Sequence, residues 1–289
     1  MRNRRTLAWS EASMIRWCAF CQRYQGEIEP FDDYSMTHGI CERCSARKAF
    51  LHEEPSNLGA IRRFFLRVAQ SATAPAVSAF ELVREGNALG LDPVDLLLGI
   101  VQPVLRQIGD RWERGEATVA EEHRVTALCS TLIKLLMETD ARVAMLRRRK
   151  SPTVLLVAAA HNYHTLGLQI LAAFLLKNRI SVLTVYPCLP PRDIVKLAQS
   201  VQPRIVAVSA AMPDHIQSAV EIDERLAAVR SSERPLVVVG GLALRSEASI
   251  PAHGSLLACR DLNMFLELAS APRARARRER PNRETQSFS

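Results

Sequence analysis

The stretch TVLLVAAAHNYHTLG, residues 153–167, decides the fold of the C-terminal half of this 289-residue chain. Its first eight residues are almost all apolar, and a short apolar run of this kind predicts a buried β-strand. His164 then falls in the loop after the strand, and Gly167 opens the next helical segment. The imidazole is therefore expected at the carboxyl edge of a sheet, where open α/β domains bind ligands.

Apolar runs alternate with helical segments through the rest of this half. Strands are predicted near 153–160, 181–186, 204–209, 235–239 and 255–258, and helices near 166–178, 190–201, 214–230 and 243–249. Such alternation indicates parallel strands that are joined by right-handed crossovers. The prediction is a flavodoxin-like α/β domain over residues 150–270.

Several polar and glycine residues recur at matched spacing along this domain. They are Asn162, His164 and Gly167, then Ser209 after a gap of 41 residues, and Gly240 and Gly241, with 28 residues between Ala211 and Gly240. The pattern resembles the cobalamin-binding domain family, whose signature is D-x-H-x-x-G, a 41-residue gap, S-x-L, a gap of 26 to 28 residues, and GG. The resemblance covers about 120 residues and implies a bound cobalamin.

The resemblance implies that His164 replaces the lower dimethylbenzimidazole base and ligates cobalt, for which imidazole is a suitable donor. His161 is the alternative ligand, but it lies out of register. Asn162 stands where the family has an aspartate that holds the histidine, and an amide should strengthen the imidazole less than a carboxylate does.

The remaining positions are implied to line a slot for the displaced nucleotide tail. Glycine keeps side chains out of such a slot, and a hydroxyl can hydrogen-bond within it. These positions are Gly167, Ser209, Gly240 and Gly241.

Residues 58–147 are predicted to form an all-α domain. Apolar residues recur at helical spacing in four segments, and the breaks fall at Pro75, at 90–93 and at Gly115. Four helices in an antiparallel bundle are expected, acting as a cap on the cobalamin domain.

Within this bundle, Trp112 is followed ten residues later by Glu122 and then by His123. The pattern resembles the helical cap of adenosylcobalamin-dependent photoreceptor regulators. That resemblance implies that Trp112 shields the upper adenosyl group, and that Glu122 and His123 hydrogen-bond it. Glu113 follows the tryptophan where some of those photoreceptors have a histidine that ligates cobalt after illumination, so a bis-histidine light state is not expected. The alternatives are a core role for Trp112 and a helix-capping role for the Glu-His pair.

Four of the seven cysteines form two C-x2-C pairs that are separated by nineteen residues: Cys18, Cys21, Cys41 and Cys44. This spacing predicts a zinc ribbon over residues 1–57, with a structural rather than catalytic Zn²⁺. His38 is a possible substitute ligand. Deletion of residues 1–50 is expected to leave cobalamin binding intact, because the ribbon is a separate module in the sequence.

The other cysteines, Cys129, Cys188 and Cys259, lie in apolar segments and are predicted to be buried small hydrophobes. Unpaired thiols suit a reducing cytoplasm. The chain lacks an apolar run of about 20 residues and a signal peptide, so no membrane contact is expected.

The formal net charge is +8, and basic residues cluster at 147–150 and in the tail 271–289. We predict a solvated linker and a disordered basic tail, with a nucleic-acid contact as the alternative.

A cobalamin mutase or methyltransferase would need a substrate barrel of about 250 residues, for which no length remains. The favoured hypothesis is a non-enzymatic sensor that acts on a transcription regulator or another signalling protein. The alternatives are a corrinoid methyl carrier and a direct nucleic-acid binder. The upper ligand, the input (light, redox state, oxygen or B12 supply), a second chromophore and homo-oligomerisation stay open.

Overall fold

The structure is a computed structural model of the chain. It describes residues 14–28, 33–56, 58–73, 77–138, 151–228, 234–244 and 255–271. The chain divides into two compact units, Met1–Leu136 and Met137–Ser289. The basic run at 147–150, the tail beyond residue 271 and the predicted break at Pro75 lie outside the described residues.

The first unit begins with a small three-stranded sheet. β1 (Met14–Cys18) is the central strand and pairs antiparallel with β2 (Tyr24–Ile28) and parallel with β3 (Ser35–Gly39). The short helix α1 (Glu42–Ala46) and a 3-10 turn (Ala49–Leu51) follow. We call this part of the chain, residues 14–51, the four-cysteine module.

Four helical stretches complete the first unit within the described residues, as the apolar spacing predicts. α2 (Gly59–Ala69) continues into a 3-10 turn (Gln70–Ala72), and α3 (Ala79–Ala88) follows. The third stretch consists of α4 (Pro93–Leu96), a π-helical turn (Leu97–Val101) and α5 (Gln102–Glu113), and we call it helix 93–113. The fourth is α6 (Val119–Glu138).

The predicted breaks have ordinary physical causes. Gly90 and Gly115 adopt φ angles of +74° and +71°, which favour glycine. The Asp92 carboxylate accepts hydrogen bonds from the backbone N–H groups of Val94 and Asp95, so it caps helix 93–113. The bundle was predicted to reach residue 147, but residues 139–147 lie outside the description.

The second unit contains a five-stranded parallel sheet with helices between the strands. The strands are β4 (Val154–Ala158), β5 (Val182–Cys188), β6 (Ile205–Ser209), β7 (Leu236–Gly240) and β8 (Leu257–Ala258). Their order is β5-β4-β6-β7-β8, and every pairing is parallel. This is the 2-1-3-4-5 order of a flavodoxin-like fold, so the predicted class is confirmed.

The helices of the second unit are α7 (Leu166–Lys177), α8 (Pro191–Val201), α9 (Ile216–Ala228) and α10 (Leu262–Ser270). The sequence analysis missed α10. The helix predicted at 243–249 is described only as a 3-10 turn (Leu242–Leu244), since residues 245–249 lie outside the description. All five residues of β4 are buried, which explains their continuous apolar pattern. Across the described residues, no helix combines the length and apolarity needed to cross a membrane.

Candidate functional site

Strand register brings the spaced motifs of the second unit to one edge of the sheet. Ala158, the last residue of β4, pairs with Ser209, and Ser209 pairs with Gly240 of the next strand. His164 lies in the loop after β4, and Gly241 directly follows β7. Because the strands are parallel, these residues share the carboxyl edge, as expected from the sequence.

Asn162 is completely buried and uses both ends of its amide within this edge. Its Nδ2 donates to the backbone oxygen of Ser209 at 2.8 Å, and its Oδ1 accepts from the backbone N–H of His164 at 3.0 Å. The side chain therefore positions the loop through the backbone of His164, whereas the sequence analysis placed it beside the imidazole. This connection also explains why an amide suits the position, since Nδ2 donates a second hydrogen bond to the Ser209 carbonyl, which also accepts from the Ala159 N–H.

Replacement of Asn162 by aspartate is expected to destabilise the second unit by about 2 to 4 kcal/mol at neutral pH. A carboxylate would face the Ser209 carbonyl oxygen without a proton to donate, in a buried position. The pKa of the new carboxyl would be raised in the folded state, so the destabilisation should diminish as the pH falls through that raised pKa. Urea unfolding of wild-type and variant proteins at pH 7 and pH 5 measures this difference. An equal loss of stability at both pH values would contradict the role of the Nδ2 donor.

The His164 imidazole is exposed and makes no hydrogen bond among the described residues. His161 is also exposed, and it adopts a φ of +62°, which is an uncommon conformation for a residue with a side chain. Strained backbone of this kind often lies next to functional sites. The loop therefore exposes an imidazole at the carboxyl edge of the sheet, while Asn162 holds its backbone in place.

The three glycines of the motif differ in what the fold requires of them. Gly241 has a φ of +115°, and a Cβ there would lie 2.3 Å from the backbone oxygen of Ala210. A Cβ on Gly240 would lie 3.1 Å from the Cys259 oxygen, which is only tight. Gly167 is exposed at the start of α7, and no atom lies within 4 Å of the space for its Cβ. The backbone conformation and the close approach of Ala210 thus require glycine at position 241. At position 167 the fold itself would accept a side chain, and only a ligand that approaches this space would require glycine.

Large apolar side chains surround this edge and were not predicted as site residues. Tyr163 follows β4, Tyr186 lies near the end of β5, Met212 follows β6, and Leu242 follows β7, and all four are exposed. Exposed apolar groups that cluster in this way mark a binding surface. Their position at or just after the ends of predicted strands was the sequence signal that could have identified them.

His215 has a defined role in the loop that follows Ser209. Its Nδ1 accepts hydrogen bonds from the backbone N–H groups of Ala211 and Met212, both at 3.2 Å. Nδ1 must therefore be unprotonated, which leaves the ring hydrogen on Nε2. Burial lowers the pKa of His215, and the nearby His164 and His161 lower it further.

In the first unit, the described contacts argue against the purely structural roles of Trp112, Glu122 and His123. Trp112 is 49% exposed at the end of α5, so it is not a core residue. The N-terminus of α6 is capped by Thr118 and Glu121, since Glu121 accepts from the N–H and hydroxyl of Thr118 and Thr118 accepts from the Glu121 N–H.

Glu122 and His123 are thus not needed for capping. Glu122 contacts Nδ1 of His123 at 2.6 Å and accepts from the Thr126 hydroxyl at 2.6 Å. This places an oriented carboxylate beside an exposed imidazole on α6. Among the described residues, no hydrogen bond joins Trp112 to this pair.

The four predicted thiols come together in the four-cysteine module. The sulfur atoms of Cys18, Cys21, Cys41 and Cys44 all lie within 4.8 Å of one another, and the group does not include His38. The Cys21 and Cys41 sulfurs are 3.7 Å apart. Zinc–sulfur bonds of about 2.3 Å in a tetrahedron place sulfurs about 3.8 Å apart, so the spacing fits zinc.

The electrostatics of the cluster favour a thiolate at Cys18. Burial alone would raise the pKa of Cys18, but hydrogen bonds from the backbone N–H groups of Cys21, Cys41 and Phe20 lower it to about 6. Thiolates are the form in which cysteine binds metals. Of the remaining cysteines, Cys129 and Cys259 are buried as predicted, whereas Cys188 is only half-buried.

Comparisons with known proteins agree with this geometry. A B12 binding domain model matches residues 152–250, and a second B12 binding domain model matches residues 76–137. Trimethylamine corrinoid protein 1 of Methanosarcina acetivorans is 24% identical over 164 residues, covering 56% of this chain and 75% of that protein. The HTH-type transcriptional repressor CarH of Myxococcus xanthus is 27% identical over 191 residues, covering 65% of this chain and 60% of that protein.

Among solved structures, the monomethylamine corrinoid protein of Methanosarcina barkeri matches with a TM-score of 0.57 and 16% identity. The match covers 74% of this chain and 98% of that chain, and it shows that the fold is shared. The two B12 binding domain models and the relationship to the corrinoid protein support cobalamin binding. The chain carries two B12-binding domains, one over residues 76–137 and one over residues 152–250.

Proposed function

We propose that the protein is a cobalamin-binding sensor that responds to light through adenosylcobalamin and acts on a transcription regulator through protein contacts. The observation that carries this proposal is the exposed Trp112 at the end of α5, together with the Glu122–His123 pair that capping does not require. The relationship to the transcriptional repressor CarH supports it.

In this proposal, His164 is the lower cobalt ligand, and the space beside Gly167, Ser209, Gly240 and Gly241 takes the nucleotide tail. The exposed imidazole, the unobstructed space at Gly167 and the apolar edge residues fit such a group. When bound, adenosylcobalamin supplies a cobalt–carbon bond that light can break. Asn162 and His215 hold the loops after β4 and β6, and Trp112, Glu122 and His123 are the residues of the first unit that would respond to the upper ligand.

A methyl carrier for separate methyltransferases is the second candidate. The relationship to trimethylamine corrinoid protein 1, of which this chain covers 75%, favours it. The sensor and the carrier differ in the role that they require of Trp112, the exposed aromatic residue at the end of α5. A carrier has to offer its cobalt to two partners, whereas a sensor needs a side chain that packs against the upper ligand and responds to its loss.

The light response provides the test. Illumination of protein loaded with adenosylcobalamin is expected to change its size-exclusion elution volume or its affinity for a transcription regulator. The Trp112→Ala variant should bind cobalamin but lose most of this change. Phe80→Ala is the matched control, because Phe80 is also a highly exposed aromatic on a helix of the first unit.

Two results would reject the sensor in favour of the carrier. One is identical elution and partner affinity in darkness and light. The other is efficient acceptance of a methyl group from a corrinoid methyltransferase. Since Glu113 follows Trp112, the illuminated protein should also lack a bis-histidine absorption spectrum.

We further propose that the four cysteines hold one Zn²⁺ that stabilises the module. Elemental analysis of freshly purified protein is expected to find about one zinc per chain, because four thiolates complete a closed structural site. The Cys21→Ser variant should lose this zinc, and the control Cys188→Ser should retain it, since Cys188 lies in β5. Zinc-free wild-type protein, or equal zinc in both variants, would exclude this site.

A further inference from the structure

The four-cysteine module packs against helix 93–113 through a buried aromatic side chain. Trp17 of β1 is completely buried, and its ring occupies the space where Gly99 would carry a side chain. A Cβ on Gly99 would lie 2.4 Å from the indole, and Tyr24 packs edge-on against Trp17 at 5.9 Å. Gly99 lies within the π-helical turn, a local irregularity that is frequent at functional positions. The turn therefore brings the helix backbone into direct contact with the module.

Polar contacts continue this interface at the start of the helix. Arg23 pairs with Asp92 and with Asp95, the latter at 3.0 Å, and the backbone N–H of Tyr24 donates to Asp95 at 3.0 Å. Asp95 is a buried carboxylate, and its partners both come from the module. Loss of the module would remove Arg23 and the Tyr24 N–H, the groups that offset the unfavourable free energy of burying the Asp95 carboxylate.

A second ion pair lies further along the helix and is nearly excluded from solvent. Arg106 of α5 pairs with Glu27 of β2, and their side chains are only 10% and 9% exposed. The Arg106 guanidinium also lies over the Tyr34 ring at 5.8 Å, and the Tyr34 hydroxyl donates to Asp110. Removal of one member would leave the other as a buried charge without its partner, which is strongly destabilising.

These contacts occupy one face of helix 93–113. The contacting residues are Asp95, Gly99, Arg106 and Asp110, spaced by four, seven and four residues, which is the repeat of a single helical face. Trp112 lies two residues beyond Asp110 and therefore points away from this face, in agreement with its exposure. The module thus holds the helix from one side and leaves the tryptophan accessible on another.

The interface residues are direct chain neighbours of the cysteines. Trp17 precedes Cys18, and Arg23 and Tyr24 follow Cys21 within three residues. Among the described residues, the buried cluster around the cysteines consists of Cys18, Cys44 and Ala49, with Phe20 packed against it. Because this cluster is small, a bound metal would add to the stability of the strand and turn that carry the interface residues.

We propose that the four-cysteine module is a zinc-dependent clamp on helix 93–113, so that metal occupancy controls the order of the helix that carries Trp112. This inference rests on the proposed zinc site and adds a second input to the sensor. It adds to the expectation that deletion of residues 1–50 leaves cobalamin binding intact, because their removal would expose Gly99 and leave Asp95 and Arg106 without their partners in the module. The clamp operates in the cobalamin-free protein, which allows a test that does not depend on cobalamin.

Hydrogen–deuterium exchange of the full-length, cobalamin-free protein tests the clamp. Removal of zinc with 1,10-phenanthroline is expected to accelerate amide exchange in residues 97–113 by about tenfold or more. Without the module, this helix can open by local unfolding, which requires less free energy than opening together with the module. Amides of β4 and β6 should be unaffected. Re-addition of zinc should restore the slow exchange, which distinguishes release of a clamp from irreversible misfolding.

Two variants separate the clamp from the metal site. Cys21→Ser should lose zinc and show the fast exchange, whereas Arg106→Met should retain zinc and still show faster exchange in α5, because the interface itself is broken. Cys188→Ser should resemble the wild type in both measurements. Zinc loss without faster exchange in residues 97–113 would overturn the clamp while leaving the zinc site standing, and zinc-free wild-type protein would overturn both.

Discussion

Replacement of His164 by alanine is expected to weaken cobalamin binding by at least about tenfold and to remove the spectral signature of a nitrogen ligand below cobalt. The imidazole is exposed at the sheet edge. Its loop is held by Asn162 through the backbone N–H of His164, so that loss of the ring should not unfold the loop. Absorption spectra and equilibrium binding of cobalamin measure both effects.

The control for this prediction is His161→Ala. His161 is exposed in the same loop but has a left-handed backbone conformation and lies out of register with the motif. Its replacement should leave the spectrum unchanged. If His164→Ala binds cobalamin with the wild-type spectrum, or if His161→Ala loses the nitrogen signature, the ligand assignment is wrong.

Replacement of Gly241 by alanine is expected to destabilise the second unit by about 3 kcal/mol or more and to abolish cobalamin binding. The added Cβ would lie 2.3 Å from the Ala210 backbone oxygen, and the φ of +115° is unfavourable for any residue with a side chain. Ala210 directly follows Ser209, so relief of the clash would displace the end of β6. Thermal unfolding of the cobalamin-free protein and a binding titration provide the measurements.

Gly167 is the matched comparison, since it has no neighbour within 4 Å of its Cβ position. Gly167→Leu should keep the fold, because leucine is a better helix former than glycine by about 0.5 to 1 kcal/mol. It should nevertheless weaken cobalamin binding strongly if the space belongs to the ligand. Wild-type affinity in Gly167→Leu would show that the nucleotide tail does not occupy this space, and wild-type stability in Gly241→Ala would contradict the close approach to Ala210.

The sequence predicted the architecture of the second unit because its determinants are local. Apolar runs such as residues 154–158 have the length and pattern of buried strands, and their alternation with helices leads to a parallel sheet. The strand ends then place His164, Ser209 and Gly241 at one edge. The four helical segments and the paired cysteines followed from equally local patterns of spacing.

The roles of individual side chains at the site depended on partners that are distant in the chain. Asn162 contacts the backbone of Ser209, 47 residues away, and this contact determines why an amide is suitable there. The sequence gives no sign that His215 differs from an ordinary loop residue. Its role follows only from the folded loop, in which the backbone N–H groups of Ala211 and Met212 donate to its Nδ1. Likewise, the sequence analysis missed α10. The exposed apolar residues Tyr163, Tyr186, Met212 and Leu242 are far apart in the chain, and they lie at one edge only because the sheet brings the strand ends together.

The sequence by itself thus determined most of the helices and strands, the fold class and the residues at the carboxyl edge of the parallel sheet, since helical and strand periodicities and motif spacing are properties of the chain. Only the tertiary structure decided that the four-cysteine module packs on helix 93–113. The pairs Arg23–Asp95 and Arg106–Glu27 span 72 and 79 residues, and no local pattern relates their members. Their burial, and the space that Gly99 leaves for Trp17, exist only after the chain has folded, because burial is a property of packing between distant segments.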